Sequence, residues 1–202
     1  MGIQVSVEQI FTSGDATAFF LKHNFYGTHL YVAGTIHLKD LLQEAGFSIV
    51  EENPDGVVVG FDTNISYKIL TKTCDFVRSG LPYFATHPDL NCPVEGGFIP
   101  DTGATLAFIA ASTGRQPDAI CGKPFSPMVD AIRRLTNCNP EKMAMIGDRL
   151  NTDIALGQSG IKTILVLSGE TTLEDLLASP YKPDYLYKDI AALFDELSKT
   201  LK

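Results

Sequence analysis

The residues best suited to chemistry follow an apolar run in the segment 143–153, MAMIGDRLNTD. The run predicts a buried strand that ends at Gly147-Asp148, and a helix is predicted to begin near Asn151, with Asp153 in its first turn. Ligands of open α/β sheets bind at the carboxyl ends of strands, where a carboxylate can hold a hard cation such as Mg²⁺. Asp148 is therefore a candidate metal ligand, and Asp153 is predicted to line the same crevice. The alternative is structural, because Asp148 could open a turn and Asp153 could interact with the helix dipole.

A candidate phosphate-binding lysine lies in the segment 121–127, CGKPFSP. Lys123 follows a short apolar pair and precedes a predicted helix, so it is expected in a loop after a strand. An ammonium group there can neutralise a phosphate as a compact point charge. Ser126 is predicted to cap the helix, with Pro127 at its first position. A lone lysine in a loop is usually a solvated charge, but Lys123 and the acidic segment together are more specific than either alone.

Short β-branched or aromatic runs alternate with segments of helical spacing along the chain. The predicted strands cover 29–33, 57–61, 82–86, 143–146 and 163–167. The predicted helices cover 16–22, 38–45, 67–78, 104–112, 127–135, 152–158 and 190–201. This alternation favours an α/β fold with mostly parallel strands and helices on both faces. Residues from about 24 to 115 are predicted to form a self-contained α/β block, and residues 119–202 to form part of a nucleotide-type sheet.

The order of these motifs resembles the haloacid dehalogenase (HAD) superfamily. GKP at 122–124, GDRLNTD at 147–153 and the strand-like TILVLSG at 163–169 are similar to motifs of that superfamily. FTSGDATA, NPDGVVVG, ATHPD and IPDTG, further upstream, resemble its NagD-like, p-nitrophenylphosphatase branch, so the likeness covers nearly the whole chain. The resemblance implies a HAD-like Rossmannoid core with an inserted α/β cap. It implies a residual core segment and linker at 1–23, a cap at 24–115 and the C-terminal half of the core at 116–202.

The resemblance also implies an activity, the hydrolysis of phosphate monoesters through an aspartyl-phosphate with Mg²⁺ as cofactor. The substrate would be a small phosphorylated metabolite such as a sugar phosphate or a nucleotide. Lys123 matches the family's catalytic lysine, which stabilises the phosphoryl group. Asp148 matches its metal-binding residue, and Asp153 matches the second acidic position, which orients the catalytic site. Phosphoryl transfer requires positioning and charge neutralisation, which a cation, a lysine and carboxylates can provide.

The chain departs from the family at the first motif, DxDG(T/V), which supplies the nucleophile. No Asp-Xaa-Asp occurs in the 202 residues. We therefore expect an incomplete core that lacks its N-terminal strands, and a truncated chain that is inactive by itself. The strand at 143–146 would then present an apolar edge. The chain is therefore predicted either to be a truncated product or to have this edge covered by a second copy or another polypeptide, through oligomerisation or strand exchange. The alternative is a non-catalytic, degenerate relative that serves ligand binding or association. A receiver-like signalling domain is disfavoured by the large insert before Lys123.

The stretch 85–101, ATHPDLNCPVEGGFIPD, is predicted to be a binding loop because of its length and its turn residues. The resemblance implies that cap residues near this stretch face the core and choose the leaving group. His87, Asp89 and Asn91 are the substrate-binding candidates, and Glu95 is a weaker one. The alternative is a surface loop whose Asp and Asn side chains cap turns.

Net charge and cysteine usage argue against several other classes of protein. The net charge of −8 gives no basic footprint for nucleic acid, so none is expected as a partner. The widely spaced cysteines are predicted to be free thiols. No apolar stretch reaches membrane-spanning length, and the first residues do not have the pattern of a signal peptide. We therefore expect a cytoplasmic protein with no membrane partner.

Overall fold

The chain folds into two compact units that meet in sequence between Gly122 and Lys123. The computed structural model describes residues 4–200. Unit 1 is the part up to Gly122, and unit 2 is the part from Lys123 onward. The predicted domain limits, 1–23, 24–115 and 116–202, stay predictions. Within the described residues, no helix is both long enough and apolar enough to cross a membrane.

Unit 1 is built on a parallel five-stranded sheet in the order β2-β1-β3-β4-β7. Its elements in chain order are α1 (Ser13–Asn24), β1 (His29–Ala33), α2 (Ile36–Glu44), β2 (Ser48–Ile49), β3 (Gly56–Val59), α3 (Tyr67–Arg78), β4 (Tyr83–Ala85), β5 (Asn91–Val94), β6 (Gly97–Pro100), α4 (Thr102–Thr113) and β7 (Ala119–Ile120). β5 and β6 form a separate antiparallel hairpin. A short 3₁₀ turn, Val7–Gln9, precedes α1.

The sheet of unit 1 buries a different set of side chains on each face, because successive strand residues point in opposite directions. One face packs against α3 and α4, in a cluster of Tyr31, Ala33, Val57, Val59, Tyr83 and Ala85 with Cys74, Val77, Leu106 and Ile109. The other face packs against α1 and α2, in a cluster of Leu30, Val32, Val58 and Phe84 with Ala18, Leu21, Leu42 and Phe47. Helices thus cover both faces, as expected for a parallel sheet.

Unit 2 is built on a parallel three-stranded sheet in the order β10-β9-β8. Its elements are α5 (Ser126–Thr136), β8 (Ala144–Gly147), β9 (Lys162–Val166), α6 (Leu173–Ala178), β10 (Tyr185–Tyr187) and α7 (Ile190–Thr200). Single 3₁₀ or π-helical turns cover Pro140–Lys142, Leu150–Ile154 and Ala155–Ser159. In the part of the chain that the structure describes, β8 pairs with β9 alone and therefore forms an edge of the sheet.

The predicted α/β class with parallel strands is confirmed, and most elements lie within a few residues of the predicted ranges. β1 and α3 coincide with the predictions at 29–33 and 67–78. The predicted helix at 152–158 is a π-helical turn followed by a 3₁₀ turn. The cap of α5 is Phe125 rather than Ser126, which is itself the first helical residue. The helix predicted to end at 201 is described to Thr200, and Leu201 lies outside the described residues.

The predicted loop at 85–101 contains the hairpin of β5 and β6. Its strands carry Pro93 and Pro100, which lack the N–H that a ladder bond needs, and proline normally argues against a strand. Most of its side chains are exposed, so there is no alternation of buried and exposed residues. Because of these two features, the sequence pattern does not predict the hairpin. Gly96, at the turn, has a φ of +82°, which favours glycine.

Candidate active site

The turns that follow β8 and β9 lie at one edge of the sheet in unit 2. The two strands are parallel neighbours, with Gly147 opposite Leu165. Asp148 directly follows β8, and Gly169 and Glu170 lie in the turn after β9. Because the carboxyl ends of neighbouring parallel strands meet at the same edge, the two turns are in contact there.

Lys123 forms an ion pair with a buried carboxylate. Its Nζ donates to Oδ1 of Asp153 at 2.6 Å, a distance typical of a strong charge-assisted hydrogen bond. The Asp153 side chain is 6% exposed, whereas the Lys123 side chain is 38% exposed. The carboxylate is therefore shielded from water, whereas the Lys123 side chain is partly open to solvent.

Asp153 is held by its neighbours on the chain. It lies in the π-helical turn Leu150–Ile154, a feature that is frequent at functional sites. Its Oδ2 accepts a hydrogen bond from the N–H of Arg149 at 3.2 Å. A Cβ at Gly147 would overlap the Asp153 carboxyl group, so this approach depends on glycine. Since both oxygens are engaged, Asp153 is suited to position Lys123 rather than to bind a cation.

Asp148 has one carboxylate oxygen held and the other open. Its Oδ2 accepts a hydrogen bond from the N–H of Glu170 at 2.8 Å. Within residues 4–200, no protein group donates a hydrogen bond to its Oδ1. The Glu170 side chain in turn accepts from Nε of Arg149 at 2.7 Å. Asp148 is thus fixed from one side and can offer an oxygen to a ligand on the other.

The donor chemistry at Asp148 fits a hard divalent cation. Mg²⁺ prefers oxygen ligands and is commonly bound through one or two carboxylates together with waters and substrate phosphates. Asp148 would supply one such carboxylate oxygen. Among the described residues, Asp148 belongs to no group of three His, Cys, Asp or Glu ligands. A cation at Asp148 would therefore take its remaining ligands from water, from a phosphate or from further protein groups.

A second polar cluster lies in unit 1, around the end of β4. His87 Nδ1 is 2.8 Å from Oγ1 of Thr86, and its Nε2 is 2.8 Å from Oδ1 of Asp101. Asp101 also caps α4, since its Oδ1 accepts the N–H of Thr102 at 2.5 Å. The ligand atoms of His87, Asp89 and Asp101 all lie within 4.8 Å of one another. The structure thus brings the predicted residues His87 and Asp89 together with Asp101.

Asn91 and Glu95 lie on the hairpin. Asn91 is the first residue of β5, opposite Pro100, and Glu95 lies in the turn between β5 and β6. Both residues are exposed, and no hydrogen bond holds either side chain in the described part of the chain. Hydrogen bonds therefore hold His87, whereas Asn91 and Glu95 are exposed on the hairpin. The substrate-binding role of His87, Asp89 and Asn91 stays a prediction.

Sequence analysis missed the residues that support the candidate site residues, namely Asp101, Arg149, Gly169 and Glu170. A signal existed for Asp101, because an aspartate before a helical segment is a common cap. A weaker signal existed for Gly169 and Glu170, which follow a predicted strand as Asp148 does. Their contact with Asp148 depends on which strands are neighbours, and the sequence pattern does not specify that.

Comparison with known proteins places this chain in a family. Residues 120–193 match the HAD-hydrolase-like family model. Ribonucleotide monophosphatase NagD of Escherichia coli K12 is 36% identical over 193 residues, which are 95% of this chain and 75% of that protein. This chain belongs to the NagD-like branch of the HAD superfamily. An acid sugar phosphatase of Staphylococcus haemolyticus is 35% identical to this NagD-like chain over 201 residues, 98% of the chain and 76% of the relative.

Solved structures of other phosphatases share the fold. The 4-nitrophenylphosphatase of Thermotoga maritima is 46% identical and superposes with a TM-score of 0.92 over 96% of this chain and 75% of that chain. A glycerol phosphate phosphatase of Mycobacterium tuberculosis, solved in complex with magnesium, is 26% identical, with a TM-score of 0.87 over 95% of this chain and 60% of that one. The HAD-like α/β fold predicted from the motifs is confirmed by these likenesses.

Proposed function

We propose that this NagD-like chain is a Mg²⁺-dependent phosphoric monoester hydrolase that acts on a small phosphorylated metabolite, such as a sugar phosphate or a nucleotide. The observation that carries the proposal is the Lys123–Asp153 ion pair, in the same unit as the turn that holds Asp148. The names of the relatives support the class of substrate, since they include acid sugar phosphatase, dihydroxyacetone phosphatase and ribonucleotide monophosphatase.

In the proposed site, Lys123 and a cation held by Asp148 would both neutralise negative charge on the phosphoryl group. Asp153 holds the Lys123 ammonium group in place, and that ammonium group would contact the non-bridging oxygens of a phosphoryl group. Oδ1 of Asp148 would hold Mg²⁺. When bound, the cation neutralises developing charge on the phosphoryl oxygens. Lys123 is then the catalytic residue, Asp148 the metal ligand, and Asp153 the positioning residue.

The nucleophile is the remaining requirement. Covalent phosphoryl transfer needs a nucleophilic group, whose loss a lysine and a metal ligand cannot make up. Because the 202 residues contain no Asp-Xaa-Asp, we propose that the 202-residue polypeptide is inactive by itself. It would gain activity when a segment carrying Asp-Xaa-Asp-Gly is supplied. The second candidate function, ligand binding without catalysis, is favoured by the same lack of Asp-Xaa-Asp.

The test compares two polypeptides against a panel of phosphate esters with Mg²⁺. One is the 202-residue chain, and the other carries an N-terminal extension with the Asp-Xaa-Asp-Gly segment of a NagD-like relative. We expect the extended polypeptide to hydrolyse the esters and the 202-residue chain not to do so. In it, Lys123→Met and Asp148→Asn should each lower kcat/KM by about 100-fold or more, as removal of a charge-stabilising group does. The matched control is Lys142→Met, which removes an exposed lysine from the 3₁₀ turn Pro140–Lys142.

Three outcomes separate the proposals. Mg²⁺-dependent turnover by the 202-residue chain would contradict its inactivity but support the phosphatase assignment. An extended polypeptide that binds sugar phosphates or nucleotides without hydrolysing them would favour the non-catalytic function. Full activity of the Lys123→Met variant in the extended polypeptide would contradict the proposed site.

Oligomerisation is also part of the proposal. The edge strand β8 carries Ile146, whose residue surface is 41% exposed, so an apolar side chain accompanies unpaired backbone groups there. We propose that a second copy or another polypeptide covers this edge. Light scattering gives the mass, and hydrogen exchange of Ala144–Gly147 gives the protection of the edge. A dimer that leaves these amides unprotected would contradict the proposal.

Location in the cytoplasm stays a prediction.

A further inference from the structure

A contact between two turns of unit 2 determines how Asp148 is presented. Asp148 leaves β8 and Glu170 follows β9, so they are distant in sequence but adjacent at the sheet edge. The N–H of Glu170 donates to Oδ2 of Asp148 at 2.8 Å. A carboxylate with one oxygen held in this way has little freedom to rotate, and its other oxygen keeps one direction.

Gly169 allows the contact by lacking a side chain. A Cβ built at this position would overlap Cβ, Cγ and Oδ2 of Asp148. The φ of Gly169 lies outside the range that only glycine adopts readily, so the requirement is space rather than backbone conformation. Any larger residue at Gly169 would push Asp148 away from its place at the end of β8.

Arg149 joins the same two turns through its side chain. Its Nε donates to Oε2 of Glu170 at 2.7 Å, and the two side chains are 27% and 53% exposed. The backbone N–H of Arg149 donates to Asp153, the partner of Lys123. Arg149 therefore contacts, on one side, the carboxylate that holds Lys123 and, on the other, the residue whose amide holds Asp148.

We propose that Arg149, Gly169 and Glu170 are positioning residues for the cation site at Asp148. Gly169 provides the space, the Glu170 amide fixes Oδ2, and the Arg149–Glu170 ion pair keeps the turn after β9 in contact with the turn after β8. The inference rests on the proposed function, because it takes Asp148 as the cation ligand.

The Arg149→Met variant separates positioning from simple electrostatics. Removing a positive charge next to a cation site should tighten cation binding if only long-range charge matters. If Arg149 acts by positioning, its removal should instead weaken binding. Loss of such supporting partners commonly weakens metal binding by about 10-fold to 100-fold, and we expect about 10-fold here. The double variant Arg149→Met with Glu170→Gln should bind the cation no more weakly than Arg149→Met alone, because each change removes the same Arg149–Glu170 ion pair.

The experiment titrates the ¹⁵N-labelled 202-residue chain with Mn²⁺, which stands in for Mg²⁺ and broadens the signals of nearby amides. We expect selective broadening of the Glu170 and Arg149 amides, its loss in Asp148→Asn, and weaker binding in Arg149→Met and Gly169→Ala. The matched controls are Glu174→Gln, which removes an exposed charge in the first turn of α6, and Gly97→Ala, whose added Cβ meets no atom within 4 Å. Neither control should change the Mn²⁺ dissociation constant.

Each failure has its own meaning. If Mn²⁺ does not broaden Glu170, or if Asp148→Asn changes nothing, the cation site of the proposed function is wrong. If Asp148→Asn abolishes binding while Arg149→Met binds as tightly as the wild type or more tightly, the positioning role is overturned and the cation site stands. Gly169→Ala could affect folding, whereas the Arg149 side chain lies partly at the surface, so Arg149→Met tests the inference in a folded chain.

Discussion

Nζ of Lys123 and Oδ1 of Asp153 are 2.6 Å apart, although the two residues are separated by α5 and β8. The Asp153 side chain is almost completely buried, whereas the Lys123 side chain is partly exposed. A buried charge without a partner is costly, so this contact contributes to the stability of unit 2 as well as to the proposed site.

Asp153→Asn should lower the free energy of unfolding. The amide keeps the shape of the side chain but loses the charge that pairs with Lys123. Breaking a buried pair commonly costs about 3–5 kcal/mol, and the partial exposure of Lys123 reduces the expected cost to about 1–3 kcal/mol. Urea denaturation of the 202-residue chain measures the difference.

The matched control is Asp130→Asn, which breaks an exposed pair with Arg133 at 3.8 Å. That pair should contribute about 0–0.5 kcal/mol. Equal losses from Asp153→Asn and Asp130→Asn would contradict a special role for the Lys123–Asp153 contact.

Tyr83→Phe should leave stability unchanged or raise it. Tyr83 is fully buried in unit 1, and its hydroxyl group is without a hydrogen-bond partner in the described part of the chain. An unpaired buried hydroxyl costs free energy, so its removal should raise the free energy of unfolding by about 0–1 kcal/mol. Thermal and urea denaturation of the variant measure the change.

Tyr31→Phe is the matched control for Tyr83→Phe. Tyr31 is also buried, but its hydroxyl group, unlike that of Tyr83, is not among the buried unpaired side-chain atoms of the described residues. Its removal should therefore lower stability by about 1 kcal/mol. A loss of that size for Tyr83→Phe would mean that the Tyr83 hydroxyl group has a partner after all.

The elements that could be predicted from the sequence are those whose burial follows one simple period. β1 and α3 were predicted with their observed limits because each has a clear pattern and a clear boundary, such as Ser66 before α3, whose side chain accepts from the N–H of Ile69. β2 and β7 are two residues long, too short to give a period. The hairpin of β5 and β6 is mostly exposed and contains prolines, so its sequence lacks the alternation of apolar and polar residues that predicts a strand.

The candidate site could be predicted only in part, for a related reason. Residue type and position after predicted strands indicate Lys123, Asp148 and Asp153. Their contacts with Arg149 and Glu170 depend on β8 and β9 being parallel neighbours in one register. Strand order is set by packing of the whole sheet, so the residues that support the site could not be derived from local pattern.

Thiol reactivity should divide the cysteines into two pairs. All four are free, with Cys92 and Cys138 partly exposed and Cys74 and Cys121 buried. Burial also raises the pKa of the Cys121 thiol to about 12, so its thiolate is scarce at neutral pH. We expect a disulfide reagent at pH 8 to modify Cys92 and Cys138 in the folded chain, and Cys74 and Cys121 only after unfolding. Mass spectrometry of labelled peptides identifies the sites, and rapid modification of Cys121 in the folded chain would contradict its burial.

The same thiol should make unit 1 less stable at alkaline pH. The pKa of Cys121 rises from an ordinary 9.0 to about 12 in the folded chain, chiefly because burial disfavours the thiolate. Between these values the unfolded chain has lost the proton that the folded chain keeps. The stability contribution is therefore complete below pH 9 and is lost as the pH rises toward 12, at no more than about 1.4 kcal/mol per pH unit. Burial raises the pKa of Tyr83 as well, with the same sign.

Cys121→Ala removes this titration and should flatten the decline in stability between pH 9 and pH 10.5, as measured by urea denaturation at each pH. Other groups that titrate in this range, Tyr83 among them, are present in both chains, so the difference in slope between variant and wild type isolates Cys121. Cys138→Ala is the control, because it removes a partly exposed thiol instead of a buried one. If Cys121→Ala and the wild type lose stability in parallel, the thiol at Cys121 ionises in the folded chain as readily as in the unfolded one, and its burial does not control its pKa.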